Sequence, residues 1–196
     1  MQIHFSLNNT LAFMAELDKL KLVERRAYVQ DGSRHENSAE HSWFLAMTLL
    51  TLASELQLPI DLHKALKMAL IHDVCEIDAG DIGIYDPRRG DNAAEELACI
   101  NRLSQLPLSF TDELATLWHE FEAQQTPESR WVKVLDRFTP FVTNLLTEGK
   151  TWRELNITRS QVIAVNKTVH DHAPEIYAWM LPKIDEAVTK GWLRNE

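Results

Sequence analysis

Apolar residues recur at helical spacing along almost the whole 196-residue chain, and this pattern constrains the fold more than any other feature. No alternating strand pattern, internal repeat or low-complexity tract interrupts it. The sequence therefore predicts one all-α domain over residues 1–196. The segments with helical periodicity are residues 13–20, 43–53, 62–74, 94–103, 114–121, 131–142, 162–169 and 176–188.

Several helix boundaries can be predicted from local chemistry. Thr126 followed by Pro127 indicates an N-cap and a proline at the first helical position. The Thr158-x-x-Gln161 pattern is a capping box. Pro182 lies inside the last periodic segment and predicts a kink or a break there. Residues 81–92 hold two glycines and a proline with little periodicity, so we expect a loop.

Composition narrows the class of protein. Hydrophobic residues make up 45% and charged residues 25%, as in ordinary globular domains. The formal charge of −9 argues against nucleic acid as a partner of the whole surface. No apolar run is long enough to span a membrane, and the N-terminus does not resemble a signal peptide. Cys75 and Cys99 form no disulfide framework, which favours a reduced, cytoplasmic protein.

The dipeptide His72-Asp73 stands out chemically. The apolar residues 68–71 run directly into an imidazole and a carboxylate, and a second carboxylate follows at Glu76. Unpaired charge at the end of an apolar stripe is costly. A bound metal ion would account for it, because neutral imidazole and carboxylate are metal ligands.

The remaining ligands must come from elsewhere in the chain. His41 lies at the start of the periodic segment 43–53, and Asp136 is flanked by apolar residues on a late helix. Together with His72 and Asp73 they offer two nitrogens and two oxygens, a set that suits a divalent transition metal with room for water. Adjacent residues such as His72 and Asp73 can both reach a metal held between helices if they lie at a helix end.

Several blocks of the chain, in order, resemble the HD-domain metal-dependent phosphohydrolase superfamily. Within it, the resemblance is to the bacterial 5′-deoxyribonucleotidases and related small HD hydrolases, and it covers most of the chain. The blocks are Leu20-Lys21-Leu22-Val23 with Arg25, Glu36-Asn37-Ser38-Ala39-Glu40-His41-Ser42-Trp43, His72-Asp73-Val74-Cys75-Glu76, Ala79-Gly80-Asp81, Leu117-Trp118-His119-Glu120-Phe121-Glu122 and Lys133-Val134-Leu135-Asp136-Arg137.

The resemblance implies an HD-type helical bundle with a metal site between helices. Its ligands fall on the four residues chosen above: His41, His72, Asp73 and Asp136. One divalent ion is implied, and the ligand chemistry fits Mn, Fe, Co, Ni or Zn without choosing among them.

The resemblance also implies roles around the metal. Glu76 would position or activate the attacking water, Asp81 would act as an acid near the leaving group, and Arg25 would bind substrate. Arg25, with Lys21 or Arg26, would neutralise phosphate charge. The expected substrate is a small phosphorylated molecule, most simply a nucleoside 5′-monophosphate that loses its phosphate to metal-activated water.

The chain departs from the deoxyribonucleotidases at Arg26, where they carry a tryptophan against the sugar. Residues 83–89 also differ from their loop. Both differences concern the preference for deoxyribose and leave the hydrolytic chemistry untouched. We keep Arg26 with Arg25 as a substrate-binding candidate.

Alternative functions remain open at this point. The chain could be an HD phosphodiesterase, or a non-catalytic HD module that binds a nucleotide or metal and signals through a partner. It could also be a helical scaffold whose polar residues only pair with each other. The presence of Glu76 and Asp81 beside a complete ligand set argues for the enzyme. The resemblance further implies a homodimer.

Overall fold

A computed structural model describes residues 6–196, and helices dominate it as the sequence predicted. A short 3₁₀ helix, Lys19–Leu22, follows the first α-helix. The α-helices are α1 (Leu7–Asp18), α2 (Ser38–Glu55), α3 (Leu62–Ile71), α4 (Glu76–Ala79), α5 (Ala93–Ser104), α6 (Ser109–Ala123), α7 (Pro127–Leu146), α8 (Lys150–Glu154), α9 (Arg159–Val165), α10 (Lys167–His172) and α11 (Pro174–Thr189).

A small antiparallel hairpin corrects the expectation that no strand would form. Strand β1 (Glu24–Tyr28) pairs with β2 (His35–Asn37), and the register joins Glu24 to Asn37. Both strands are short and rich in charge, so they show too few apolar positions for an alternating pattern to stand out. Arg25 lies on β1 of this hairpin, and α2 begins directly after β2.

Three helices form the centre of the domain. Helix α2 packs against α3 and α7, and α3 packs against α6 and α7. Leu45 of α2, Met68 of α3 and Leu135 of α7 are fully buried at their meeting point. The core is therefore built around the helices that also hold the candidate metal ligands.

The apolar stripe predicted over residues 43–53 lies largely on the exposed side of α2, and of its members Trp43, Ala46, Met47, Leu50 and Ala53 only Ala46 is buried. The face directed at the core carries His41, Leu45 and Leu49, whereas Trp43 is 62% exposed and Met47 is 44% exposed. Apolar residues occupy both sides of α2, and spacing alone cannot tell which side the neighbouring helices cover.

The end of α3 differs from the predicted helix over residues 62–74. The helix stops at Ile71, His72 is its C-cap, and a turn leads into α4. Beyond Gly80 the chain forms turns up to Asn92, which confirms the predicted loop. The α-helix thus ends at the His-Asp pair.

The predicted helix starts are confirmed. Thr126 accepts a hydrogen bond from the Ser129 amide, and Thr158 accepts one from the Gln161 amide. Of the kink or break predicted at Pro182, the break is wrong, because α11 continues through it to Thr189. The proline removes one backbone hydrogen bond, while buried side chains on either side keep the helix against the core.

Within residues 6–196, the helices are too short or too polar for any of them to cross a membrane.

The two faces of α2 can be separated by matched substitutions. Leu49 is fully buried and Leu50 is 38% exposed. Leu49→Ala should lower the free energy of unfolding by about 2–5 kcal/mol, because it leaves a cavity in the core. Leu50→Ala should cost about 1 kcal/mol or less. Urea unfolding measures both values, and equal losses would contradict the burial of this face.

Candidate metal centre and substrate cavity

The end of α3 brings the side chains of His72 and Asp73 to one point. The His72 amide closes the last turn on the Met68 carbonyl, and the chain then leaves the helix. As a result His72 Nε2 and Asp73 Oδ1 lie 3.2 Å apart, although adjacent residues on a continuing helix would diverge.

Two other helices complete the cluster. His41 lies in the first turn of α2, and its Nε2 is 3.3 Å from Oδ1 of Asp136 on α7. The same nitrogen is 3.8 Å from Asp73 Oδ2, and His72 Nε2 is 3.8 Å from Asp136 Oδ1. The four predicted ligands therefore converge from three parts of the chain.

The His72 ring shows which of its nitrogens is available. Its Nδ1 lies 2.9 Å from the Ala69 carbonyl, an acceptor, so Nδ1 carries the proton. Its Nε2 is buried and has no hydrogen-bond partner among the described residues. A carbonyl that fixes the tautomer in this way is a frequent support of a metal-binding histidine.

The donor set fits a divalent metal ion. Neighbouring ligand atoms about 2.0–2.2 Å from one metal lie about 2.8–3.6 Å from each other in octahedral or tetrahedral arrangements. The two closest pairs of the cluster, at 3.2 and 3.3 Å, fall in that range, and the two at 3.8 Å lie slightly beyond it. The ligand atoms of His41, His72 and Asp73 all lie within 4.8 Å of one another.

Charge on the two histidines is set by their surroundings. Burial, with the nearby Arg25 cation, lowers the pKa of His41 to about 4, so its ring is neutral at pH 7. Burial also acts to lower the pKa of His72, but the carboxylates of Asp73 and Asp136 outweigh it and raise this pKa to about 10. The two carboxylates of Asp73 and Asp136 therefore strongly stabilise positive charge at this point.

Asp136 has a different environment at each oxygen. Its Oδ1 faces the two histidines, while its Oδ2 accepts a hydrogen bond from Arg137 Nη1 at 3.0 Å and lies 3.3 Å from Lys133 Nζ. Burial acts to raise the pKa of Asp136, yet these two cations hold it well below its ordinary value. The carboxylate therefore stays ionised.

Arg25, on β1, is surrounded by four carboxylates. Its Nη1 donates to Asp73 Oδ2 at 2.8 Å and lies 3.5 Å from Asp81 and 3.7 Å from Glu76. Its Nε is 3.3 Å from Glu36 Oε1. One guanidinium thus offsets much of the negative charge gathered around the cluster.

The carboxyl groups of Glu76 and Asp81 both have raised pKa values. Glu76 is buried in α4 and accepts a hydrogen bond from Ser38 Oγ at 2.5 Å. Burial and the Asp73 charge raise the pKa of Glu76 well above its ordinary value. Burial also raises the pKa of Asp81, although Arg25 partly offsets the effect.

A cavity of about 610 Å³ opens onto this cluster. His72, Asp73 and Asp136 line it, together with residues 81–87 of the loop. Aromatic side chains, among them Phe141 and Trp152, also line it. The volume is in the range of sites for small organic ligands.

Hydrogen bonds hold the loop of residues 81–92 in place beside the cavity. The Trp152 indole donates to the Tyr85 hydroxyl at 3.2 Å, and Arg89 donates to the Ile82 carbonyl at 3.0 Å. A Cβ added at Gly83 would lie only 3.0 Å from Arg26 Cγ. The loop therefore packs directly on the Arg26 side chain, which also lines the cavity.

The HD domain family matches residues 17–177, which is most of the chain. The chain belongs to the HD domain family. This confirms the resemblance inferred from the sequence blocks. That the HD domain extends over the whole of residues 1–196 stays a prediction.

Similar proteins agree with this assignment. A solved structure of a "Predicted metal-dependent phosphohydrolase" from Magnetospirillum magnetotacticum is 36% identical, covers 95% of each chain and superposes with a TM-score of 0.87. The 5′-deoxynucleotidase HDDC2 of Danio rerio is 27% identical over 87% of this chain and 84% of its own length. The 5′-deoxynucleotidase hdd1 of Schizosaccharomyces pombe is 25% identical over 93% of this chain and 86% of its own length.

Of the site residues named from the sequence, Arg25, Arg26, His72, Asp73, Glu76, Asp81 and Asp136 line the cavity, and their individual roles stay predictions. His41 is buried behind them, against Asp136. Lys21 is exposed and pairs with Asp18, so it does not lie at the cavity. Sequence reasoning missed the structural partners of these residues. Glu36 lies 3.6 Å from His41 Nδ1, and burial raises the pKa of Glu36 to about 7. Ser38 bonds Glu76 across the site. Both residues belong to the block of residues 36–43 around His41. Membership of that block was the only sequence signal that pointed to them.

Metal binding by this HD domain can be tested on α3 with two histidines. His72→Ala should weaken the retention of a divalent ion at least tenfold, because it removes a buried nitrogen donor. His63→Ala changes an exposed histidine of the same helix and should have no effect. Metal analysis after reconstitution with Mn, Co or Zn and desalting measures both. Undiminished metal in His72→Ala would remove this residue from the ligand set.

Proposed function

We propose that this HD domain is a metal-dependent phosphohydrolase of the 5′-deoxynucleotidase type, which releases phosphate from nucleoside 5′-monophosphates. The observation that carries the proposal is that Glu76 and Asp81 line the same cavity as His72 and Asp73. The relatives named 5′-deoxynucleotidases, at 25% and 27% identity over most of the chain, supply the substrate class.

His41, His72, Asp73 and Asp136 are the residues that would hold one divalent ion. The chemistry that such an ion supplies when bound is acidification of water and polarisation of a phosphoryl oxygen. Nitrogen and carboxylate donors in this mixture fit Mn, Fe, Co, Ni or Zn. Because the cluster opens directly into the cavity, a phosphate there can reach it.

Glu76 is proposed to orient the attacking water and to accept its proton. Burial and the Asp73 charge raise its pKa, which makes its carboxylate a stronger base for the water proton. The Ser38 hydroxyl fixes Oε2, and Arg25 lies 3.7 Å from Oε1. The side chain is therefore held in one orientation at the cavity surface.

Asp81 is proposed to protonate the leaving alkoxide. Burial raises its pKa, which favours the protonated form that a general acid needs. Asp81 Oδ1 and Glu76 Oε1 lie 3.5 and 3.7 Å from the same Arg25 Nη1, so the proposed acid and base share one cation.

Arg25 and Arg26 are proposed to contribute to substrate binding. Both line the cavity, and Arg26 reaches it from a more exposed position on β1. The packing of Gly83 against Arg26 couples this side chain to the loop. Arg26 therefore lies where the sugar or base of a nucleotide would meet the loop, and a planar guanidinium can stack there or donate hydrogen bonds.

The homodimer implied by the resemblance stays a prediction. Its support is the exposed apolar row of Trp43, Met47 and Leu50 on α2. Rows of this kind often mark interfaces in soluble proteins.

A substrate panel tests the proposed function. Deoxynucleoside and ribonucleoside 5′-monophosphates, 3′,5′-cyclic nucleotides and p-nitrophenyl phosphate are incubated with the protein and several divalent metals. We expect phosphate release from the 5′-monophosphates and its loss in His72→Ala. Turnover confined to cyclic nucleotides would instead indicate a phosphodiesterase. Nucleotide binding without turnover under every metal would indicate a non-catalytic module.

The role of Asp81 predicts a dependence on the leaving group. Asp81→Asn should lower kcat on a deoxynucleoside 5′-monophosphate by about 10²–10⁴-fold, because a poor alkoxide leaving group needs a proton. On p-nitrophenyl phosphate the loss should be much smaller, since the phenolate leaves without one. Asp91→Asn, at an exposed position of the same loop, is the control. Equal losses on both substrates would exclude Asp81 as the proton donor.

A further inference from the structure

Arg137 is a largely buried cation that the proposed chemistry has not yet used. It follows Asp136 on α7, its side chain is 13% exposed, and it lines the cavity. Its Nη1 donates to Asp136 Oδ2 at 3.0 Å. Within residues 6–196 the guanidinium makes no other hydrogen bond, so most of its N–H groups remain available.

Arg137 differs in this respect from Arg25. Four carboxylates lie within 3.7 Å of the Arg25 guanidinium, whereas Asp136 alone forms an ion pair with Arg137 in the described part of the chain. Asp136 in turn is shared with the Lys133 ammonium at 3.3 Å. Two cations thus share the single negative charge of Asp136, and a buried excess of positive charge is stabilised by an anionic ligand.

The loop adds a further cation to the cavity lining. Arg89 lines the cavity and donates one hydrogen bond, to the Ile82 carbonyl. Glu96 and Glu122 also line the cavity. Burial and the Glu122 charge raise the pKa of Glu96, and the Arg89 and Lys133 charges partly offset this, but neither glutamate forms an ion pair with Arg89 or Arg137 in the described residues.

The two oxygens of Asp136 fix the distance between this charge and the metal cluster. Oδ1 faces His41 and His72, and Oδ2 faces Arg137. A phosphate bound beside the two histidines would therefore lie close to the Arg137 guanidinium, with only the Asp136 carboxylate between them. A nucleoside monophosphate carries close to two negative charges near neutral pH, and a planar guanidinium can bind two of its oxygens at once.

We propose that Arg137, together with Arg89 of the loop, binds the phosphate of the substrate, in addition to the substrate contacts proposed for Arg25 and Arg26. This inference rests on the proposed function for its substrate. It assigns two residues outside the previously named set and gives the loop a part in anion recognition.

The test compares Arg137→Met, Arg137→Lys and the control Arg130→Met, which changes an exposed arginine on the same helix. For each variant we would measure KM and kcat on a deoxynucleoside 5′-monophosphate, the inhibition constant of orthophosphate, its direct binding by calorimetry, and the bound metal. Arg137→Met should raise KM and the orthophosphate constants about 10-fold to 100-fold, with metal content unchanged. Arg137→Lys should lie between, and Arg130→Met should match the wild type.

The outcomes separate this inference from the function it depends on. Unchanged KM and orthophosphate binding in Arg137→Met, with an active wild type, would overturn the phosphate role alone. Loss of metal from Arg137→Met would assign the residue to the support of Asp136 and would also overturn it. If the wild type binds orthophosphate through Arg137 but hydrolyses no nucleotide, the anion site stands and the proposed function fails.

Discussion

The site depends on the ion pairs that the Arg25 guanidinium makes with four carboxylates. Glu36, Asp73, Glu76 and Asp81 come from a strand, a helix end, a short helix and a loop, and all lie within 3.7 Å of it. Without a cation in their midst, these carboxylates would repel one another at low solvent exposure. The hairpin that presents Arg25 is therefore as important to the site as the helices that carry the ligands.

Asp136 joins two electrostatic regions of the cavity. One of its oxygens faces His41 and His72, and the other faces Arg137 and Lys133. It projects from α7, a continuous helix of 20 residues that packs on both α2 and α3. A metal position and a phosphate position can thus be held at a fixed separation by one rigid element, as hydrolysis of a phosphate ester requires.

Much of this arrangement could be anticipated from residue chemistry. His72, Asp73 and Asp136 were recognisable because charged groups interrupt or flank apolar stripes, where unpaired charge is costly. The buried face of α2 could not be identified in the same way, because Trp43 and Leu45 are equally apolar. The hairpin escaped notice because strands of five and three residues give too short a pattern.

The sequence by itself determined the helical class, the capped helix starts at Thr126 and Thr158, and the residue types that could bind a metal. These depend on local spacing and side-chain chemistry, which a chain carries whatever its fold. Only the tertiary structure decided that the Arg25 guanidinium lies among four carboxylates, whereas the Arg137 guanidinium forms an ion pair with one. That difference arises from which distant segments meet in space, and no local pattern records it.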